Sequence, residues 1–183
     1  EARIQEISMP QRYIDTTLFD LFKVGPGPSS SHTIGPMKAG HHFAETCAAL
    51  PRDLLVRAVR FRVRLYGSLS ATGTGHGTDA AVVAGLLGTA PESCPAGLLQ
   101  QLMDDPHTRR KRSLGDGQVS VCVDDVSHDA IIHDFSYSNT LVADLLDAED
   151  NVLHSQEYYS VGGGFIQWKG WEPPSLGEPV HRY

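Results

Sequence analysis

The sequence of 183 residues is poor in cysteine and lacks the segments that mark membrane and secreted proteins. Its three cysteines, Cys47, Cys94 and Cys122, form no CxxC pair. The spacing therefore favours neither a disulfide framework nor a zinc or iron–sulfur ligand set, and we expect small buried hydrophobic side chains. No apolar run approaches the roughly 20 residues of a transmembrane helix, and no basic segment followed by an apolar stretch opens the sequence. These absences predict a soluble protein of the cytoplasm that has no membrane partner.

Positive charge is also scarce. Lys and Arg number 15 against 22 Asp and Glu, a formal net charge of −7. Nucleic-acid binding depends on a basic surface that neutralises phosphates, so no nucleic-acid partner is expected. The four lysines, Lys23, Lys38, Lys111 and Lys169, lie in no recognisable Schiff-base context, which argues against pyridoxal phosphate as a cofactor.

The patterns that are present predict one α+β domain, with early helices packed on a mostly antiparallel sheet. We expect a polar lead-in over 1–15, the domain over 16–170 and a Pro/Gly-rich linker over 171–183. Helices are predicted over 16–22, 34–50, 78–88 and 96–103. Strands are predicted over 57–66, 119–122, 131–135, 141–146 and 152–161, with 165–168 extending the last one. The basic stretch 104–117 is predicted to be a solvated loop, and 148–151 a turn.

Segment 57–66 alternates apolar residues with Arg60, Arg62 and Arg64. A period of two is typical of a half-buried strand. We expect the arginine face to be solvated, with a contact to a partner or a second copy of the chain as the alternative.

The segment Ser29-Ser30-Ser31-His32-Thr33 comes just before a predicted helix. A helix N-terminus presents free backbone N–H groups and about half a positive charge, so it attracts anions. His32 adds a base whose ordinary pKa is ~6.5. The combination suits a small carboxylate substrate that must lose a proton. An ordinary helix cap with a solvated histidine is the alternative.

A second segment, which is rich in glycine, also precedes a predicted helix. It contains Gly73, Gly75, His76, Gly77, Thr78 and Asp79. Part of it matches the G-x-G-x-x-A form of a dinucleotide loop, but it begins well after the strand and no βαβ unit follows, so no nucleotide is expected. Spaced glycines allow a backbone to approach a ligand closely. Capping of the next helix by Thr78 or Asp79 is the plainer interpretation.

Three blocks of the sequence resemble the iron–sulfur L-serine dehydratases. They are residues 19–23 with 27–37, residues 66–79, and residues 158–165, and in this order they span most of 16–168. The resemblance implies the β portion of an L-serine ammonia-lyase, which converts L-serine to pyruvate and ammonia with a [4Fe–4S] cluster and without pyridoxal phosphate. The pattern departs at Tyr137-Ser138-Asn139, where His would be expected in place of Tyr137, and at Pro26, where an aliphatic residue is usual.

The resemblance also implies partners and a fold. The cluster ligands would belong to an α portion, fused after this region or forming a separate subunit, so the β portion alone would be inactive. The fold would be similar to the allosteric substrate-binding domain of some phosphoglycerate dehydrogenases, and we expect a homodimer. That similarity leaves a second hypothesis open, a non-catalytic amino-acid-binding regulatory domain. A third is an interaction domain that docks through its arginine face.

Most of the candidate site residues lie in the matched blocks; Lys38 lies one turn past the serine segment, with a solvated helix lysine as the alternative, and Asn139 lies in the departing Tyr137-Ser138-Asn139 segment. His32 is the candidate base for the Cα proton of L-serine, and His76 is a reserve acid or base. The candidate substrate-binding or loop-ordering residues are Ser29, Ser30, Ser31, Thr33, Lys38, Gly73, Gly75, Gly77, Thr78, Asp79 and Asn139.

Overall fold

Short helices precede most of the strands in the computed structural model, which describes residues 25–172. The helix predicted over 16–22 and the segment from 173 onward lie outside the described residues. The helices are α1 (Gly35–Ala48), α2 (Arg52–Arg57), α3 (Ser68–Thr72), α4 (Thr78–Leu86) and α5 (Leu98–Asp104). The strands are β1 (Arg60–Gly67), β2 (Arg110–Leu114), β3 (Gly117–Val121), β4 (Val126–His128), β5 (Asn139–Leu146), β6 (Val152–Gly162) and β7 (Phe165–Trp168). No helix between residues 25 and 172 is long and apolar enough to cross a bilayer.

The strands form one mixed sheet of seven, in the order β2-β3-β1-β5-β6-β7, with β4 also paired to β1. β3 and β4 run parallel to β1, and the other neighbours are antiparallel. The predicted α+β class with a mostly antiparallel sheet is confirmed. The predicted turn between β5 and β6 is also confirmed: Asp150 adopts a φ of 65°, and the Asp147 carboxylate accepts from the backbone N–H groups of Glu149 and Asn151. Segment 165–168 does not extend β6 but returns antiparallel to it as β7.

The core lies between one face of the sheet and the helices. Phe61, Val63 and Leu65 of β1 are fully buried there, as the period of two predicts. Cys47 and Cys122 are buried as expected, whereas Cys94 is half-buried, and all three are free thiols. Burial raises the pKa of the Cys47 thiol to about 12, so this cysteine is an unreactive packing group.

Helices α1 and α4 cross at unusually close range. A Cβ atom on Gly85 of α4 would overlap the carbonyl oxygen of Met37, and one on Gly40 of α1 would overlap the carbonyl oxygen of Val82. Glycine at both positions therefore lets the two backbones touch. Every residue of α4 is buried, so this helix lies at the centre of the domain. It holds the glycine-rich segment against the serine-rich segment that precedes α1.

The prediction of a solvated loop over 104–117 is wrong, because β2 lies within it and pairs with β3. Two basic side chains of this stretch are anchored by distant partners. Arg109 makes two bonds to Asp125, of 3.0 and 2.9 Å, while Arg112 pairs with Glu45 and donates to the carbonyl of Leu86. Charged residues are common on edge strands, where they discourage edge-to-edge pairing, so a basic composition does not exclude a strand.

The strand predicted over 131–135 is also wrong. Within 130–138 the chain bends between β4 and β5 without strand pairing. Ile131 and Ile132 are 61% and 92% exposed. β-branched residues favour strands only when a neighbouring strand is present to pack against, and segment 131–135 pairs with no strand.

The arginine face of β1 is not freely solvated as predicted. Arg62 donates to Oδ2 of Asp144 from Nε at 3.1 Å and from Nη2 at 2.8 Å, and Arg64 donates to the same atom at 3.1 Å. Asp144 on β5 is fully buried, whereas the two arginine side chains are 33% and 35% exposed. The register places Arg62 directly opposite Asp144, a long-range pairing that the local pattern does not indicate.

Candidate active site

The serine-rich segment is the start of a helix rather than a loop. Residues Ser30–Ile34 form one π-helical turn that runs directly into α1, and Pro36 lies in the first turn of α1. Ser29 is the N-cap, and its hydroxyl accepts from the backbone N–H of His32 at 3.1 Å. The helix therefore begins four residues before the predicted boundary at 34. Single π-turns are rare and are frequent at functional sites.

His32 is held between two serine hydroxyls. Its Nδ1 lies 2.9 Å from the hydroxyl of Ser31, and its Nε2 lies 3.1 Å from the hydroxyl and 3.3 Å from the carbonyl oxygen of Ser68. Burial lowers the pKa of His32, the Ser68 carbonyl opposes this, and nearby His76 lowers the pKa further. The net shift is downward, so His32 is neutral at pH 7 and has a lone pair that can accept a proton.

The second glycine-rich segment is not a simple loop. It folds into α3, a 3₁₀ turn over Thr74–His76 and the start of α4. The prediction that Thr78 or Asp79 caps α4 is wrong: Gly77 occupies the cap position at a φ of 66°, and no side chain caps this end. Positive φ is the backbone conformation that glycine adopts without strain.

Two buried threonines join the two segments. Thr33 donates from its hydroxyl to the carbonyl oxygen of His76 at 2.9 Å, and Thr78 donates to the carbonyl oxygen of His32 at 2.5 Å. Both threonines are fully buried. The reciprocal bonds bring the rings of His32 and His76 to a centroid distance of 5.0 Å. Residues 43 or more positions apart in sequence thus form one wall.

The glycines of the second segment differ in what they permit. A Cβ atom on Gly73 would overlap the carbonyl oxygen of Leu69, so packing requires glycine there. At Gly75, φ is not positive and nothing lies within 4 Å of the position that a Cβ atom would take. Gly75, His76 and Gly77 instead border an open cleft of about 560 Å³, whose other walls are the segments around Pro26 and around residues 91–103.

Asn139 lies at the start of β5 and is linked to the serine segment through Ser160. Its Nδ2 donates to the carbonyl oxygen of Ser160 at 3.4 Å, and the hydroxyl of Ser160 donates to the carbonyl oxygen of Ser31 at 2.8 Å. Within residues 25–172, Oδ1 of Asn139 is buried and has no hydrogen-bond partner. Lys38 forms an ion pair outside this group of residues: its ammonium lies 3.4 Å from Oε1 of Glu92.

Sequence reasoning missed three residues beside the predicted set. Ser68 contacts His32, Ser160 contacts Ser31, and His128 lies 2.9 Å from Oδ1 of Asp79. Ser68 and Ser160 fall inside the matched blocks 66–79 and 158–165, which is the signal that could have found them. His128 lies in no motif.

No metal-binding set is present in the part of the chain that the structure describes: no three His, Cys, Asp or Glu side chains come together there. His41 and His42 are adjacent on α1, and neighbouring residues of a helix do not face each other, so the two rings make a poor metal pair. His42 packs its ring on Trp168 at 4.3 Å and forms a 2.8 Å hydrogen bond with the hydroxyl of Tyr158.

A comparison with known protein families identifies the class of domain to which this chain belongs. The family described as serine dehydratase beta chain matches residues 17–171. The chain therefore belongs to the serine dehydratase β-chain family, as the resemblance of the three sequence blocks predicts.

Individual relatives agree with this family. The chain is 40% identical over 156 residues to L-serine dehydratase 2 of Escherichia coli (strain K12) and 39% identical over 155 residues to the L-serine dehydratase of Streptomyces coelicolor. It is 37% identical over 153 residues to the L-serine dehydratase of Haemophilus influenzae. Each match covers 82% of this chain and 33% of the relative, so the chain spans about a third of the length of these relatives.

Proposed function

We propose that the chain is the β domain of an L-serine ammonia-lyase, which converts L-serine to pyruvate and ammonia. The domain would contribute substrate-binding and acid–base residues to a site that an α portion completes. The family and the names of the relatives support the reaction. The single observation that carries the role of this domain is the position of His32, which is held by Ser31 and Ser68 at the start of a helix.

The chemistry requires a base close to an anion site. The Cα proton of a serine zwitterion is weakly acidic, and hydroxide is a poor leaving group, so a positioned base is needed. We assign the substrate carboxylate to the backbone N–H groups and hydroxyls of the serine segment, Ser29 to Ser31, where the helix start favours negative charge. The lone pair at Nδ1 of His32, which lies 2.9 Å from the hydroxyl of Ser31, would then take the Cα proton.

Protonated His32 has partners ready. The carbonyl oxygen of Ser68 only accepts hydrogen bonds, so it stabilises an N–H at Nε2, and the Ser31 hydroxyl can accept from Nδ1. Loss of the Cα proton and of the hydroxyl group, which departs as water, gives aminoacrylate. This enamine becomes an imine, and water hydrolyses the imine to pyruvate and ammonia. His76, with its ring 5.0 Å from that of His32, is the reserve acid or base.

The cofactor implied by the resemblance is a [4Fe–4S] cluster. The described residues do not fit as its ligands, because Cys47 is buried with a raised pKa and no metal-binding set occurs within 25–172. We propose that the ligands lie in the α portion, fused or separate, where an open iron position would supply Lewis acidity toward the serine hydroxyl and carboxylate. We also propose that 171–183 is a linker toward the α portion. The protein would be a homodimer and would be located in the cytoplasm.

The competing hypothesis is a regulatory domain that binds an amino acid without reacting with it, as a fold like the allosteric domain of phosphoglycerate dehydrogenases would suggest. Such a domain needs an anion site but no base. The names of the relatives favour the catalytic alternative, and the position of His32 between the hydroxyls of Ser31 and Ser68, with a lowered pKa, is consistent with a base.

The test is anaerobic pyruvate formation from L-serine by the complete protein, with α portion and cluster present. Turnover by the parent protein supports the assigned reaction. A protein with an intact cluster and no pyruvate would refute it. Survival of turnover in His32→Ala would instead leave the reaction in place and transfer this domain to the regulatory class.

A further inference from the structure

His128 ends strand β4 and reaches into the space between α3 and α4. Its Nδ1 lies 3.0 Å from the carbonyl oxygen of Ser70 on α3, and its Nε2 lies 2.9 Å from Oδ1 of Asp79 in the first turn of α4. Nε2 is also 3.4 Å from the hydroxyl of Thr74, on the 3₁₀ turn between the two helices. One imidazole ring therefore contacts all three parts of the second glycine-rich segment: the backbone of α3, and side chains of the 3₁₀ turn and of the start of α4.

The partners of this ring determine its charge. A carbonyl oxygen and an ionised carboxylate can only accept hydrogen bonds, so both contacts are satisfied only when each ring nitrogen carries a hydrogen. Burial alone lowers the pKa of His128, but the bonds to the Ser70 carbonyl and to the Asp79 carboxylate outweigh it, and the pKa lies above its ordinary value. Hydrogen bonds from an imidazolium are stronger than those from a neutral ring.

The two anchored points bracket His76. Ser70 and Asp79 lie on either side of it in the chain, and the carbonyl of His76 receives the Thr33 hydroxyl. Ser70 is held a second time, because its hydroxyl donates to the carbonyl oxygen of Asp129 at 2.6 Å, next to His128 in the chain. His128 and Asp129, at the end of β4, thus fix both ends of the segment that contains His76 and lies beside His32.

We propose that His128 is a positioning residue, whose doubly hydrogen-bonded imidazolium holds the segment from Ser70 to Asp79, and with it His76, against His32. The inference rests on the proposed function for its effect on turnover, but not for the order of the segment itself. It also gives Asp79 a definite role, since one carboxylate oxygen of Asp79 is already used by His128.

Other charged groups near His128 must be separated from its effect. The elements packed on His128 carry other ionisable groups: Asp79 on α4, His76 on the 3₁₀ turn, Asp129 directly after His128, and Arg60, Arg62, Arg64 and Tyr66 on β1. Arg64 is engaged by Asp144, and Asp129 accepts from the hydroxyl of Ser127. Asp79 is the one whose carboxylate bonds the ring, so its substitution is the specific probe.

The first test reads the order of the segment without any turnover. Amide hydrogen exchange of the complete protein is followed by mass spectrometry between pH 6 and pH 9, with correction for the intrinsic dependence on pH. The backbone N–H groups of Gly73, His76 and Thr78 are hydrogen-bonded within the segment and report on it. The variants are His128→Gln, Asp79→Asn and, as a matched control, His107→Gln, which removes an exposed histidine paired with Asp124.

In the parent protein, protection of residues 70–79 is expected to fall by roughly tenfold as pH rises and His128 loses its charge. Asp79→Asn should shift this loss to lower pH, because the imidazolium loses its ionic partner. His128→Gln should abolish the pH-dependent step, and His107→Gln should retain it. The proposal would be overturned if His128→Gln lost protection of residues 70–79 to the same extent and at the same pH as the parent protein.

The second test is the turnover of L-serine by the same proteins. His128→Gln is expected to lower kcat by about tenfold, because small displacements of positioned groups cost this much or more, while KM changes far less. Unchanged kcat alongside a lost exchange step would overturn the positioning role. If the parent protein forms no pyruvate, the proposed function fails, and the exchange experiment alone decides whether His128 orders the segment.

Discussion

Thr33 and His76 are joined by a 2.9 Å hydrogen bond from the threonine hydroxyl to the histidine backbone carbonyl. The bond is matched by one from Thr78 to the carbonyl of His32. Neither histidine is therefore positioned by its own helix alone. The distance between their rings is set by two buried hydroxyls, and a change in either one should reach both histidines.

Thr33→Val tests this coupling, because valine preserves the shape and removes the donor. The carbonyl oxygen of His76 then loses its partner, which should cost about 1–3 kcal/mol of stability and should lower turnover of L-serine. Urea denaturation and pyruvate formation measure the two effects. Thr46→Val is the control, since the hydroxyl of Thr46 donates to the carbonyl oxygen of His42 on α1 and plays no part in joining the two segments. Equal effects of the two substitutions would contradict the coupling.

Gly73 and Gly75 should respond oppositely to alanine. Gly73→Ala is expected to lower the melting temperature by several degrees or prevent folding, because its methyl group overlaps the carbonyl oxygen of Leu69. Gly75→Ala should melt like the parent, since nothing lies within 4 Å of the added atom. A raised KM for L-serine in a normally folded Gly75→Ala would place the substrate against this backbone, and an unchanged KM would place it elsewhere.

Asp144 should be a main determinant of the sheet's stability. Asp144→Asn removes the charge that Arg62 and Arg64 share, and we expect a loss of about 2 kcal/mol, below the ~3–5 kcal/mol of a fully buried pair because both arginines retain solvent. Asp116→Asn is the matched control, because its partner Arg52 is exposed and such pairs contribute ~0–1 kcal/mol. Chemical denaturation should separate the two. A loss no larger than that of the control would show that the buried carboxylate is not needed.

Stability should fall on the acid side because of His154. Burial lowers its pKa, and within residues 25–172 its buried Nε2 has no hydrogen-bond partner. A lowered pKa means that the unfolded chain binds the proton first, so stability is full above the ordinary value of ~6.5 and declines as pH falls below it. His42 adds to this decline, since its pKa is also lowered.

His154→Leu should therefore flatten the acid limb of a plot of melting temperature against pH between about pH 7 and pH 5. His107→Gln is the control on this limb. The pKa of His107 is raised by its hydrogen bond to Asp124, so that histidine acts in the opposite direction. An acid limb of unchanged slope in His154→Leu would assign the acid sensitivity to other groups.

The sequence was most informative where the signal is local. The period of two around Phe61 predicted β1, and the helical pattern after Ile34 predicted α1. Prediction from the sequence failed where a residue distant in the chain determines the contacts of a side chain. Thr78 looks like a helix cap, but the carbonyl of His32 takes its hydroxyl from 46 residues away. Arg62 looks solvated until β5 places Asp144 opposite it.

The candidate site shows the same division. His32 and His76 were found from their motifs, and the contact between their segments required the fold. His128 gave no signal, because its partners Asp79 and Ser70 lie 49 and 58 residues away and a lone histidine at a strand end has no motif. Ser68 could have been found, since it lies in a matched block and only its direction toward His32 was hidden.

The most direct test of the account is rescue of the base. In the complete protein, His32→Ala should lower kcat for pyruvate formation from L-serine by about 10²–10⁴-fold, the usual contribution of general acid–base catalysis. Added imidazole should restore part of the lost rate in His32→Ala and leave the parent protein unaffected. Near-normal kcat in His32→Ala, or a loss that imidazole does not reverse in a folded protein with an intact cluster, would contradict His32 as the base.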